Sequence, residues 1–214
     1  MTTITLESLT LNQKNILGTF ISASSLEQVQ GRAWYSTART MCQDLSKRYN
    51  VPFLTVVSVL AVLSPATVWE DNVKNTERML EDNRTGSIEL ERGAYSLYLF
   101  NVKKAYSLLN NQDMVQEWIN QDVNNIKSGH KTVSFANNIS GNEDYVTVDR
   151  HAYRVWKTGL NKVEMSSVTL TKKQYNLVAN DYRIVAEYLN ITPATLQAVT
   201  WVTMRNYLNP TQDK

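Results

Sequence analysis

Apolar residues recur at helical spacing along most of this chain. Trp34, Ala38, Met41, Cys42, Leu45 and Tyr49 fall on one face of a helix starting near Arg32. The stretch Val51 to Leu63 is apolar apart from Pro52, Thr55 and Ser58. It reads as a buried helix, with Pro52 near its first turn and Pro65 just past its end. Its β-branched residues keep a buried strand as the alternative. Arg92 to Asn110 reads as another helix, with Leu97, Phe100, Ala105 and Leu108 apolar.

The best-specified element runs from Lys172 to Leu189. Thr171 and Gln174 have capping-box spacing. Tyr175, Val178, Ala179, Tyr182, Val185, Ala186 and Leu189 then make one apolar stripe, and Asn190 ends it. Thr192 and Pro193 open a last helix as cap and first residue, running to about Tyr207. Asn206 to Lys214 is expected to be a frayed tail.

Composition narrows the classes. Across 214 residues, 43% are hydrophobic and 20% charged, which suits a globular chain and not a disordered one. Only 7 Gly and 4 Pro are present, too few for the closely spaced turns of an all-β fold. Cys42 is the single cysteine, so neither an intramolecular disulfide nor a metal cluster held by several cysteines can form within one chain. No basic start followed by an apolar run marks a secretory signal. The apolar stretch ending at Leu63 is too short to span a bilayer. The expected setting is cytoplasmic, in a bacterium or a phage-infected host.

The net charge of +2 is mild, but it is concentrated. Between Ile126 and Lys162, six cations (Lys127, Lys131, Arg150, Arg154, Lys157, Lys162) face three carboxylates (Glu143, Asp144, Asp149), and both histidines lie there too. Taken alone, such an excess is what an ordinary solvated face carries. Within the window, a tight turn at Ser128-Gly129 runs into a helix, an arrangement whose backbone N–H groups can hold a phosphate. An extended stretch from Tyr145 then ends at Asp149, a natural N-cap for the helix bearing Arg150, Arg154 and Trp156. A capping aspartate and a surface lysine account for these residues without any chemistry. Two histidines and one cysteine make a poor donor set, so no metal site is expected; His130 and His151 suit phosphate contacts or support of the site.

This window resembles the helix-hairpin-helix DNA glycosylase superfamily, the group of endonuclease III and its relatives. Their hairpin ends in Gly-Arg-Lys-Thr-Ala and is followed by Val-Asp-Thr-His and an arginine. The matching residues here are Gly129, His130, Lys131 and Thr132, then Val148, Asp149, His151 and Arg154, and eighteen residues separate Lys131 from Asp149 as in that family. Leu60 to Asn72 resembles the family's Leu-Ser-Ala-Gln segment, whose following loop probes the base stack. Tyr98 to Leu109 resembles the helix before the hairpin. The likeness covers about Val51 to Trp156, and suggests a short, phage-type member. It departs from the pattern where Asn125-Ile126-Lys127 replaces Leu-Pro-Gly. The cysteine cluster is missing, so no iron–sulfur cluster is expected. Ala66 and Thr67 stand near the place of the probing glutamine.

The resemblance implies an all-α fold of two lobes with a DNA cleft between them. Residues 51–147 would be an inserted helical domain ending in the hairpin, and 1–50 with 148–214 a second lobe. It implies a DNA glycosylase with associated abasic-site lyase activity, needing no cofactor, acting on double-stranded DNA with no obligate protein partner. Lys131 would be the nucleophile at the sugar C1′, and Asp149 would assist by managing protons or stabilising positive charge. Such a lysine needs desolvation or cationic neighbours to shed its proton. Lys127, Ser128, Gly129, His130, Thr132, Arg150, His151 and Arg154 would bind DNA; Ser64, Ala66, Thr67, Trp69 and Asn72 would form the probing loop. Trp34 and Trp201 read as core, and Tyr153 as core or stacking surface. Two other readings stay open: a base-modifying transferase on the same fold, as in phage thymine modification, and a non-catalytic DNA-binding module.

Overall fold

The computed structural model describes residues 4–122, 125–126, 129–161 and 169–209. Secondary structure among them is entirely helical: α1 (Leu11–Ile21), α2 (Ser25–Tyr49), α3 (Phe53–Leu63), α4 (Trp69–Thr85), α5 (Leu99–Leu109), α6 (Gln112–Ile119), α7 (His130–Ser140), α8 (Arg150–Thr158), α9 (Lys172–Leu189) and α10 (Pro193–Leu208). The chain divides into two compact units, one of residues 1–35 with 142–214, the other of 36–141. The expected division at residue 51 is therefore displaced: the first junction falls inside α2, not in the connection after it. The second falls at Gly141 instead of after Thr147, because Tyr145, Val146, Thr147 and Val148 are buried in the first unit.

In the first unit α1, α8, α9 and α10 pack on one another. Their core gathers Ile16, Leu17, Val146, Val148, Ala152, Val155, Tyr175, Val178, Tyr182, Val185, Leu196 and Met204. Two buried polar centres fix the register. The Tyr175 hydroxyl donates to the Val146 carbonyl at 2.8 Å and accepts from the Val148 N–H at 3.1 Å, which pins the extended stretch leading to Asp149. Asp181 of α9 accepts from Gln13 Nε2 of α1 and from Trp156 Nε1 of α8, both at 2.7 Å. Buried polar atoms are costly unless bonded, so these centres admit few alternative packings. At Gly31, a Cβ would stand 2.4 Å from the Val199 Cα, so α2 meets α10 backbone to backbone.

In the second unit α3 is central. It is buried from Thr55 to Leu63 and packs on α4, α5, α6 and α7. A helix apolar on all sides belongs inside such a bundle, which settles the choice between helix and strand for this stretch. Asn137 of α7 donates its Nδ2 to the Ile119 carbonyl at 2.8 Å, tying α7 to the end of α6. Arg39 donates to the Ile139 carbonyl at 2.9 Å, tying α7 to α2.

Several boundaries differ from the sequence reading. The helix expected near Arg32 begins at Ser25, where Ser24 and Glu27 exchange cap bonds. The helix expected from Arg92 begins only at Leu99; the chain before it turns at Gly93, whose φ is +87° and whose N–H donates to the Ser96 carbonyl. Leu97 and Phe100 are exposed there, whereas Ala105 and Leu108 are buried. The last helix reaches Leu208, so Asn206, Tyr207 and Leu208 are not a frayed tail, and Asn206 bonds Glu27. Among the described residues, no helix is long and apolar enough to cross a membrane.

Candidate functional site

Asp149 is the N-cap of α8. Its Oδ1 accepts from the N–H groups of His151 and Ala152, both at 2.9 Å. Its Oδ2 accepts from the Trp201 indole Nε1 at 2.9 Å. Three N–H donors from two helices thus hold a half-buried carboxylate in one orientation. An ionised carboxylate has about four lone-pair sites, so acceptor capacity remains for a substrate.

The surroundings of this carboxylate belong to the first unit. Trp201 tilts against Trp34 with ring centroids 4.8 Å apart, the Arg205 guanidinium lies 5.1 Å from its centroid, and the His151 ring stands nearly perpendicular to it at 6.1 Å between centroids. Tyr35 and Tyr182 are fully enclosed and their hydroxyls are held strongly protonated, above all by burial. Burial also pushes the His151 imidazole below the usual histidine range; Asp149 opposes this, while Arg150, Arg154 and Arg205 reinforce it. The His151 Nδ1 is buried and has no hydrogen-bond partner.

Lys131 belongs to the second unit, in the first turn of α7 and half-buried. The helix enters through Gly129, which has φ +67° and is exposed. Only glycine takes that left-handed conformation readily, and it supplies no capping side chain to the helix N-terminus. The Thr132 hydroxyl donates to the Gly129 carbonyl at 3.0 Å and closes the turn. His130 and Thr132 are half-buried beside Lys131 in sequence. Lys127 and Ser128 lie outside the described residues. Among the described residues, no three His, Cys, Asp or Glu side chains gather in a group that could hold a metal ion.

The five probing-loop candidates separate. Ser64, Ala66 and Thr67 do form the connection between α3 and α4. Ala66 is exposed with φ +59°, and the Thr67 hydroxyl bonds the Leu63 and Pro65 carbonyls. Trp69 and Asn72 instead belong to α4. Asn72 is buried and donates its Nδ2 to the Leu60 carbonyl at 3.1 Å, so it joins α4 to α3 and is no part of an exposed loop.

The chain belongs to the family DUF7178. That family, described as one of unknown function, matches residues 2–208. No curated protein and no solved structure matches the chain. In this DUF7178 chain, sequence reasoning placed Asp149 as a cap and Lys131 at a helix start, and both stand so. Spacing does not bring Trp201 to Asp149 or Arg205 over the Trp201 ring, and it reads Trp34 and Trp201 as core. Both tryptophans are only half-buried, and nothing local relates Trp201 to an aspartate 52 positions earlier. Tyr153 packs on Trp156 at 5.5 Å between ring centroids.

Proposed function

We propose that this chain is a DNA glycosylase with associated abasic-site lyase activity, built on a two-lobed fold of the helix-hairpin-helix glycosylase kind. The observation that carries the reading is Asp149: a helix-capping carboxylate whose second oxygen is held by Trp201, followed immediately by Arg150 and His151. Lys131, in the first turn after the left-handed Gly129, is the second residue of the reading. These are the positions to which the resemblance assigns the two reacting residues.

In this reading the unprotonated Lys131 amine attacks C1′ of a flipped nucleotide, since C1′ is shielded in a stacked duplex. The glycosidic bond breaks, and its electron pair leaves with the base, which takes up a proton. The C1′–O4′ bond then breaks, its electron pair goes to O4′, which takes up a proton, and the nitrogen gives up its protons as its lone pair forms the imine. Asp149 stabilises the positive charge that develops on the sugar; its fixed orientation means that little reorganisation is needed at that moment. Backbone phosphates are the partners assigned to Lys127, Ser128, Gly129, His130 and Thr132, and to Arg150, His151 and Arg154. Ser64, Ala66 and Thr67 form the probing loop, kept short and rigid by the Thr67 bonds. No cofactor enters the scheme.

Borohydride trapping tests it. The reagent reduces the imine to a stable secondary amine, so wild-type protein on a duplex with an abasic or damaged site yields a covalent protein–DNA adduct. Lys131→Gln removes the adduct and leaves most of the DNA affinity, since only one of several cations is lost. Equal trapping by both proteins refutes Lys131 as nucleophile. Duplex binding without strand cleavage or base release favours the non-catalytic module, and a changed base on an intact glycosidic bond favours the transferase.

A further inference from the structure

In the second unit, large apolar side chains collect on the surface where the chain enters α5. Leu90, Leu97, Tyr98 and Phe100 are all exposed, and Phe100 keeps 76% of its area in solvent. Single exposed apolar residues are ordinary, but neighbours grouped in one stretch mark an interaction surface. Cations border the group. Arg92 is exposed, and its Nε donates to the Leu97 carbonyl at 3.2 Å, which fixes the guanidinium beside Tyr98 with its terminal nitrogens left over. Lys103 is exposed one turn after Phe100, on the same face of α5. Neither Arg92 nor Lys103 forms an ion pair among the described residues. α5 carries no acidic residue. In the preceding loop, Glu89 is paired with Arg78, so Glu91 alone opposes the two cations. Lys104 is turned aside, its ammonium 5.9 Å from the Trp118 ring centroid.

We propose that this surface binds single-stranded DNA, with bases stacked on Phe100 and Tyr98 and backbone phosphates on Arg92 and Lys103. Aromatic and cationic side chains in alternation match the alternation of base and phosphate along a strand. A duplex keeps its base faces stacked inside, so the strand is unpaired. An anionic bilayer also suits apolar side chains ringed by cations, but it buries aliphatic chains deepest, and here the two leucines stand out least and Phe100 most. A partner helix needs an apolar face several turns long, and beyond Phe100 the exposed positions of α5 are Lys103 and Ser107. The choice of DNA over RNA rests on the proposed function; the surface itself uses neither Asp149 nor Lys131.

Anisotropy of a fluorescently labelled oligothymidylate tests this in the full chain. Phe100→Ala weakens binding about tenfold, the worth of one stacked base, and Phe100→Trp restores it. Arg92→Gln and Lys103→Gln each lower affinity and flatten its log–log dependence on salt by about 0.7. Phe100 is exposed, so the far-ultraviolet circular dichroism of Phe100→Ala matches wild type. Leu11→Ala, at an equally exposed apolar residue of α1, is the control and changes nothing. No binding of the oligonucleotide, or equal affinity of wild type and Phe100→Ala, overturns the proposal. So does sedimentation with phosphatidylglycerol vesicles that depends on Phe100 while the oligonucleotide stays unbound. Strand binding in a protein that gives no borohydride adduct would sink the lyase reading and leave this surface standing; an adduct without strand binding would do the reverse.

Discussion

The indole Nε1 of Trp201 donates to Oδ2 of Asp149 at 2.9 Å, across 52 residues of sequence. It is the contact that turns a helix cap into an oriented carboxylate, because the capping bonds use only the other oxygen. Trp201→Phe keeps the ring against Trp34 and deletes the donor. The lost bond costs about 1 kcal/mol in urea unfolding. On the proposed glycosylase function, base release is expected to fall further than that stability loss explains, while duplex affinity holds.

Asp149 itself separates its two duties by substitution. Asp149→Asn retains an oxygen acceptor for the cap but turns its amide NH2 on the Trp201 indole N–H, so stability drops by about 1 kcal/mol. Asp149→Ala removes the cap and strands the Trp201 N–H, so the loss reaches about 2 kcal/mol. On the proposed function both variants are expected to lose base release, because neither carries negative charge toward the sugar. Full release by Asp149→Asn refutes the role, and denaturation curves of the pair check the ordering.

The pH dependence of stability carries a signature of His151. Its folded pKa lies below the ordinary histidine value, chiefly through burial. The unfolded chain therefore binds this proton more readily than the native one, and native stability rises with pH through that interval. Lowering the pH from the unfolded histidine value, about 6.5, down through the depressed folded value destabilises the protein. His151→Gln removes that part of the slope. Differential scanning calorimetry of wild type and variant across the interval shows it as a difference that grows toward acid.

Gly31 has space for nothing larger. A Cβ there would meet Val199 Cα at 2.4 Å and Val199 N at 2.8 Å, and backbone cannot swing aside as a side-chain tip can. Gly31→Ala forces α2 away from α10 and destabilises by about 1–3 kcal/mol, although alanine is the better helix former. Chemical denaturation measures it, and a neutral result would show that the helix pair yields easily.

Legibility in the sequence followed locality. α9 was readable end to end because Thr171, Gln174 and the stripe from Tyr175 all lie within it, and the cap bonds are present. α4 was missed because its buried positions include Asn72 and Thr76 beside Met79 and Leu80 in a highly charged stretch, so apolar spacing gave no helix. α1 was missed for a related reason: it buries Gln13 and Thr19 while exposing Leu11 and Ile21. Around the candidate site, the cap at Asp149 was written in adjacent residues. The Trp201 donor and the Arg205 guanidinium arrive from α10 through tertiary packing, which no spacing encodes.

The capping of α8 also bears on what a descendant of this chain would keep. Asp149 is retained by folding alone, since a copy that had lost all chemistry would still need an acceptor for the His151 and Ala152 N–H groups and for the indole above them. Its survival in another copy is thus no testimony to activity. Lys131, set in the first turn of a helix that starts at a glycine, has no such capping duty. On the proposed function, whether that position stays lysine bears on catalysis more directly than the cap does.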